Sequence, residues 1–286
     1  MQKTGEQRAA DRQRAEQDLR LERNLADIGH RIIVLSGKGG VGKTSVAVNL
    51  AYALSLEKKM VGLLDVDVHG PDIAKMLGIE QARLAGTREG IEPVHVLPTL
   101  RAVSLALVLS DPDQPVIWRG PLKMATIKQF LSDVHWGKLD YLVVDSPPGT
   151  GDEPLSVCQL IPGVSGAVVV TTPQDVAILD ARKCVGFARQ LDIPVIGIVE
   201  NMSGFTCPHC GKEVALFKKG GGERAASQLG VPFLGSIPFE QEMVDLADRG
   251  TPFVAFGREL RAARAFRNIV ENINRFLAQS EDASHP

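Results

Sequence analysis

The 286-residue sequence predicts an α/β protein, with a mostly parallel sheet and helices on both faces. Three observations predict it. Short, uninterrupted apolar runs rich in valine and isoleucine recur along the chain, as strands buried on both faces require. Stretches with apolar residues at helical spacing separate them, the alternation that winds a parallel sheet. Several runs end in an aspartate or a glycine-rich turn, where open α/β sheets place their ligands.

Composition narrows what such a chain does. A formal net charge of −2 provides no basic footprint for nucleic acid. No apolar run is long enough to span a membrane. Residues 1–28 form a charged N-terminal arm mixing Arg and Lys with Glu and Asp, with Leu19, Leu21, Leu25 and Ile28 late in it. The arm lacks the apolar core of a signal peptide and the acid-poor character of a transit peptide. The expectation is a cytoplasmic protein whose four cysteines are reduced thiols or metal ligands. The arm reads as a solvated helix leading into a domain over residues 29–280, with a partner-binding role as the alternative.

The first buried strand is Ile32-Ile33-Val34-Leu35. The glycine loop Gly37-Lys38-Gly39-Gly40-Val41-Gly42-Lys43-Thr44-Ser45 follows and fits the P-loop pattern. Val46, Ala47, Leu50, Ala51 and Leu54 then recur at helical spacing. Strand, loop and helix together make a phosphate site: glycines admit the phosphates to the backbone N–H groups, and the helix N-terminus adds positive charge. Lys43 is expected to reach the β- and γ-phosphates and the Thr44 hydroxyl to hold Mg²⁺. Lys38 is a second lysine in a loop that needs one. It is either a solvated cation or a charge aimed at a phosphate, that of a partner subunit included.

The second strand, Met60-Val61-Gly62-Leu63-Leu64, ends in Asp65-Val66-Asp67. Both carboxylates are expected near the phosphates, with Asp67 orienting the attacking water or a Mg²⁺-bound water. Asp72 is expected to cap the next helix, and His69 receives no role. Residues 94–96 and 103–109 look like strands, and a helix is expected from Trp118 to about residue 134 with Pro121 in its first turn. Tyr141-Leu142-Val143-Val144-Asp145 is the third clear strand. Its terminal Asp145, downstream of a P-loop, is the Walker B arrangement that holds a Mg²⁺ water or Thr44. The Pro147-Pro148-Gly149 loop after it can respond to the γ-phosphate.

Residues 167–170 and 195–199 are two further strands, with a helix over 175–190 between them. Asn201 follows the second, placed to hydrogen-bond a base edge. Cys158 and Cys184 read as small core residues. Cys207-Pro208-His209-Cys210-Gly211 puts two cysteines on a tight turn, the form of a metal knuckle at residues 207–210. A redox dithiol would open a helix, and nothing after Cys210 looks like one. Zn²⁺ and Fe–S clusters usually take four ligands. An incidental turn is the alternative; a two-fold axis through a homodimer, presenting the pair twice, can supply the missing two ligands. Lys218-Lys219-Gly220-Gly221-Gly222 reads as a flexible loop before a helix over 224–229. Residues 231–238 read as the last strand, with Pro238 beside the base. Leu260, Ala263, Phe266, Ile269, Val270, Ile273 and Phe276 fall on one face of a final helix, which docks on the sheet or lies on a membrane surface.

The loop from Gly37 to Thr44 resembles the deviant Walker A loop of the family that includes ParA, MinD, the arsenite-pump ATPase and the nitrogenase iron protein. In that family the residue at Lys38 crosses a face-to-face dimer to the other protomer's nucleotide. Over residues 30–275 the chain is similar to the Mrp/ApbC group of iron–sulfur cluster carrier ATPases. The matching stretches include SGKGGVGKTSVAVNLA, LDYLVVDSPPGTGDEPL and the far more specific VENMSGFTCPHCG. The resemblance implies slow, switch-like ATP hydrolysis and a labile [4Fe–4S] cluster bridging two protomers, passed on to apo recipient proteins. Zn²⁺ is the alternative metal at the same cysteines. The resemblance carries roles onto Lys38, Gly42, Lys43, Thr44, Asp67, Asp145, Cys207 and Cys210. Two features depart from the group: only a short arm precedes the P-loop, and Asp72 stands where serine is usual. A positioning ATPase like ParA or MinD is the competing class, and it has no use for the Cys-x-x-Cys pair.

Overall fold

The apolar runs assemble into one sheet. The computed structural model describes residues 5–67, 70–87, 90–108, 120–207, 209–256 and 260–284. The chain begins with α1 (Gly5–Ala26), β1 (Ile28–Ser36), α2 (Lys43–Leu56), β2 (Val61–Asp65) and the short α3 (Ile73–Met76). Next come β3 (Ala85–Gly86), β4 (Ile91–Glu92), β5 (Val94–Leu97) and β6 (Leu100–Ser104), then α4 (Gly120–Ser132), β7 (Leu139–Asp145) and α5 (Asp152–Leu160). The remainder is β8 (Gly166–Thr171), α6 (Asp175–Gln190), β9 (Val195–Glu200), β10 (Phe205–Thr206), β11 (Glu213–Val214), α7 (Gly221–Leu229), β12 (Phe233–Ser236), α8 (Gln241–Asp248) and α9 (Arg261–Ser284).

The main sheet runs β12-β9-β8-β1-β7-β2-β6-β5, with only the β5–β6 pair antiparallel. Alternation along β1 divides the interior in two. Ile33 and Leu35 face a core shared with α1, α4, α5 and α6, whereas Ile32 and Val34 face one shared with α2 and α9. β1 lies between β7 and β8, so the loop leaving its carboxyl end emerges where the winding of the sheet changes direction.

Three elements depart from the sequence expectation. The strand expected over 103–109 ends at Ser104, whose hydroxyl accepts the Ala106 N–H at 3.2 Å and turns Leu105–Leu107 into a 3₁₀ helix. Burial of Leu105 and Leu107 made the run look extended. The flexible loop expected at Gly220–Gly222 is instead the N-cap and first turn of α7. α8 was not anticipated: it is only eight residues long and none of them is fully buried. Trp118, Arg119, His69 and Leu109 lie outside the described residues.

The stripe on α9 docks on the sheet: Ala263, Phe266, Ile269, Val270 and Ile273 are buried, which leaves that face no membrane to lie on. Among the described residues no helix is long and apolar enough to cross a membrane.

α1 is the expected helix, and its last turns join the core through Leu21 and Leu25. Asn24 Nδ2 donates to the carbonyls of Leu131, Ser132 and Val134 at 2.8–3.1 Å, closing the C-terminal end of α4. Carbonyls at a helix end need such partners. Asn24→Ala is therefore expected to cost about 1–2 kcal/mol, the usual penalty for stranding partly buried acceptors. An unchanged urea midpoint would show that α1 does not dock in solution.

Candidate nucleotide and metal site

Each glycine of the P-loop has its own reason. A Cβ at Gly37 would sit 2.3 Å from the Asp180 carbonyl, so glycine there lets α6 close on the loop. Gly39 and Gly40 face open space, the side from which phosphate oxygens can reach the backbone. Gly42 takes φ +81° as the N-cap of α2. No side chain caps that helix, so the amides of its first turn, which includes Ser45, point into the loop.

The loop's lysine is buried among acids. Lys43 Nζ lies 2.6 Å from Asp145 Oδ1 and 3.5 Å from Asp67 Oδ2. Thr44 Oγ1 donates to Asp145 Oδ2 at 2.7 Å. Strand register explains the gathering: Val34 of β1 pairs with Asp145, Asp145 with Asp65, and Asp65 with Ser104.

The two acids after β2 part company. Asp65 is fully buried and turned into the sheet, accepting from Ser104 Oγ at 2.8 Å and from the Asp67 N–H at 3.1 Å. Burial, then the Asp145 charge, pushes its carboxyl well above the usual range. Asp67 alone faces Lys43. Burial also raises Asp145, opposed by the Lys43 ammonium and the Thr44 hydroxyl. Asp72 occupies the N-cap position of α3 but makes no cap hydrogen bond, contrary to expectation. Burial and the Asp67 charge push it up and Lys43 opposes them, so its carboxyl lies within the field of Asp67 and Lys43.

Lys38 is half-buried; the Ser36 hydroxyl donates to its carbonyl at 3.0 Å, and its ammonium has no ion pair among the described residues. The Pro147-Pro148-Gly149 loop is tied to the end of β1, with the Gly149 N–H donating to the Ser36 carbonyl at 2.7 Å. Asn201 Nδ2 donates to the Val41 carbonyl at 2.9 Å. What the structure shows for Asn201 is thus a brace on the P-loop.

Cys207 and Cys210 sit on the turn of the β10–β11 hairpin, where Cys207 N–H donates to Lys212 O and Gly211 N–H to Cys207 O, each at 2.9 Å. The backbone N–H groups of Cys210 and His209 turn toward the Cys207 sulfur and, with the Cys210 thiol, hold its pKa below the ordinary value. A pocket of about 270 Å³ opens beside it, lined in part by Phe205, Glu240 and Arg261. Among the described residues no group of three or more His, Cys, Asp or Glu is arranged around a metal position. Cys158 and Cys184 are core residues as expected, with burial pushing their thiols to about 11 and about 12. A short iodoacetamide pulse near neutral pH should therefore alkylate Cys207 and spare Cys158 and Cys184, since the thiolate is the reacting form. Peptide mass spectra showing Cys184 labelled as fast as Cys207 would refute that order.

Two residues outside the sequence expectation matter. Lys123 is a buried lysine on α4 whose Nζ lies 2.7 Å from Glu153 Oε1 in the first turn of α5. Its place on the stripe it shares with Ile127 and Phe130 was the signal available. Glu200, the last residue of β9, is fully buried and hydrogen-bonded on both oxygens. Nothing in the sequence distinguishes it from any acid closing a strand.

A model of the family described as NUBPL iron-transfer P-loop NTPase matches residues 27–274. The chain belongs to that family. Family membership implies nucleotide hydrolysis, and the Mrp/ApbC resemblance holds. The chain is 50% identical over 259 residues to the iron-sulfur cluster carrier protein of Methanocaldococcus jannaschii, covering 91% of this chain and 89% of that one. It is 42% identical over 264 residues to the iron-sulfur cluster carrier protein of Saccharolobus solfataricus, covering 92% and 89%. Among solved structures, a nucleotide-binding protein from Archaeoglobus fulgidus in complex with ADP superposes with a TM-score of 0.73 at 37% identity, over 86% of this chain and 98% of that one. The cell-division ATPase MinD of Pyrococcus furiosus, at 22% identity and a TM-score of 0.64 over 86% and 99%, shares the fold.

Proposed function

We propose that this protein is a cytoplasmic, ATP-hydrolysing carrier that holds a [4Fe–4S] cluster between two copies of itself and hands it to apo recipient proteins. The observation that carries the reading is the single short segment from Asn201, bonded to the P-loop, to Cys207 and Cys210 on their exposed turn. The cluster carriers to which the chain is similar support it.

In this reading the arm of residues 1–28 precedes one ATPase domain over 29–280. The phosphates lie over Gly39, Gly40 and the first turn of α2, from Gly42 to Ser45, and Lys43 exchanges Asp145 for the β- and γ-oxygens. Val41 is held by Asn201, whose amide oxygen is available to a base edge. The hydroxyl of Thr44 and the carboxylates of Asp145 and Asp67 are hard oxygen donors, which fit Mg²⁺. When bound, Mg²⁺ neutralises charge on the β- and γ-oxygens. Thr44 would hold it, with Asp145 reaching it through water. Asp67, on the P-loop side of the pair, orients the attacking water. Lys38 acts across the dimer on the partner's nucleotide.

Lys38→Ala should accordingly lose hydrolysis by about 10²-fold or more, as expected for a charge aimed at the transition state. Its nucleotide affinity should stay within about threefold, because uniform binding is left intact. Steady-state hydrolysis and fluorescent-nucleotide titration separate the two; wild-type hydrolysis would remove the role in trans. The cluster itself is tested by anaerobic reconstitution with iron and sulfide. A brown protein with broad blue absorbance is expected, and a colourless, zinc-loaded one would overturn the reading.

A further inference from the structure

Glu200 and Asn201 are adjacent in sequence and point to different parts of the molecule. The Asn201 amide holds the Val41 carbonyl, and a Cβ at Gly42 would meet Asn201 Nδ2 at 2.2 Å and Met202 Cε at 3.9 Å. Both side chains therefore bear on the end of the P-loop. The Glu200 carboxylate reaches the other way. Oε1 accepts from Ser203 Oγ at 2.5 Å and from the Gly220 N–H at 2.9 Å, and Oε2 accepts from the Gly222 N–H at 2.6 Å. A fully buried carboxylate at a helix N-terminus is stabilised by the helix dipole and by these charge-assisted bonds. The approach is close enough that a Cβ at Gly222 would lie 3.0 Å from Glu200 Cβ.

Between these anchors the chain is bent. Met202 takes φ +55° and Gly204 φ +77°, and a left-handed methionine persists only where flanking bonds over-determine it. Those bonds are present: Ser203 N–H donates to Ile237 O at 2.9 Å, Ile237 N–H to Glu200 O at 2.8 Å, and Phe239 N–H to Gly204 O at 2.9 Å. Residues 200–205 thus form one hydrogen-bonded piece. It has the P-loop at its start and the cysteine hairpin at its end. Lys218, just before α7, also pairs with Asp175 of α6 at 2.5 Å, and α6 packs on Gly37.

We propose that Glu200 and Ser203 are positioning residues that transmit the nucleotide state of the P-loop to the hairpin turn that carries Cys207 and Cys210. Their side chains bond to each other and to the Gly220 and Gly222 N–H groups, not to the P-loop or the cysteines. The Ser203–Glu200 bond locks the bend, so displacement of Val41 moves the hairpin instead of dissipating in the turn. This deepens the carrier reading and rests on it for its biological use, but the coupling itself requires no cluster.

The test uses the full-length, metal-free protein with Mg²⁺ and either ADP or a non-hydrolysable ATP analogue. The measured quantity is the rate of Cys207 alkylation by iodoacetamide. Wild type should show rates differing by about fivefold or more between the nucleotides, the lower end of ordinary coupling. Ser203→Ala and Glu200→Gln should bring that ratio to about 1 while ATP hydrolysis stays near wild type, because the linkage and not the phosphate site is cut. A merely structural role would change both rates together and leave the ratio unaltered. A wild-type ratio retained in both variants overturns the proposal, as does a wild-type ratio of about 1, the value for uncoupled sites. Should Ser203→Ala fail to fold, Glu200→Gln carries the test alone. Failure of iron reconstitution alongside a nucleotide-dependent ratio would remove the carrier reading and leave the coupling standing.

Discussion

Lys43→Ala is expected to reduce ATP hydrolysis by about 10³-fold or more, with weakened nucleotide binding, because in the proposed function its ammonium is aimed at charge that develops on the phosphates. The structure adds a consequence for stability. Lys43 Nζ sits between Asp145 and Asp67, and its charge opposes the rise in the Asp145 pKa that burial imposes. Without it, Asp145 and Asp67 face each other, and the folded-state pKa of Asp145 climbs further. A carboxyl whose folded pKa lies above its unfolded value favours the folded state at low pH, where it is protonated in both. That advantage fades as pH rises from the unfolded value through the folded one. The destabilisation of Lys43→Ala should therefore grow with pH. The Tm difference from wild type should be smallest at acid pH and increase toward neutral and alkaline pH. A pH-independent difference would mean Asp145 is not the group left unpaired, and wild-type hydrolysis would end the assignment of Lys43 to the phosphates.

The parts of the fold that were legible in sequence are those where one residue's environment is set by its neighbours in the chain. β1, β7, β8 and β9 are buried on both faces, so their apolar runs announce them. That Lys43, Thr44 and Asp145 would come together could be expected because a P-loop and a strand-terminal acid each carry a local pattern. Cys158 and Cys184 could be separated from Cys207 and Cys210 because two stand in helical stripes and two on a glycine-ended turn. What stayed hidden depends on partners distant in sequence. The Asn201 brace joins residues 160 positions apart, and an amide after a strand does not reveal whether it will meet a base or a carbonyl. The glycines at 220–222 suggested flexibility, yet Gly220 is required by its φ of +76°, and Gly221 and Gly222 by the approach of Pro173 and Glu200. Asp65 and Asp67 look equivalent in sequence, and it is the Ser104 hydroxyl on the neighbouring strand that holds Asp65 while Asp67 turns to Lys43. Asp72 had the composition of a cap, but the charges of Lys43 and Asp67 bear on it instead.

Cys207→Ala or Cys210→Ala is expected to remove cluster binding altogether. A bridging site built by symmetry has four thiolates from two chains, so each single substitution deletes two of them. The hairpin supports a thiolate at 207 before any metal arrives, since backbone N–H groups are already turned toward that sulfur. Cys158→Ala and Cys184→Ala should bind iron normally, because both thiols are buried in the core and held protonated. Their cost is a small core vacancy, about 1 kcal/mol. ATP hydrolysis should survive in all four variants, as none of the thiols lies among Lys43, Thr44, Asp67 and Asp145. Iron per dimer after anaerobic reconstitution decides the matter. Near-zero iron in the first pair with wild-type iron in the second is the outcome a bridging site requires. Wild-type iron in Cys207→Ala would eliminate the bridge. Equal loss in all four would place the ligands within one chain, and Lys38 would then argue for a dimer that has no metal to share.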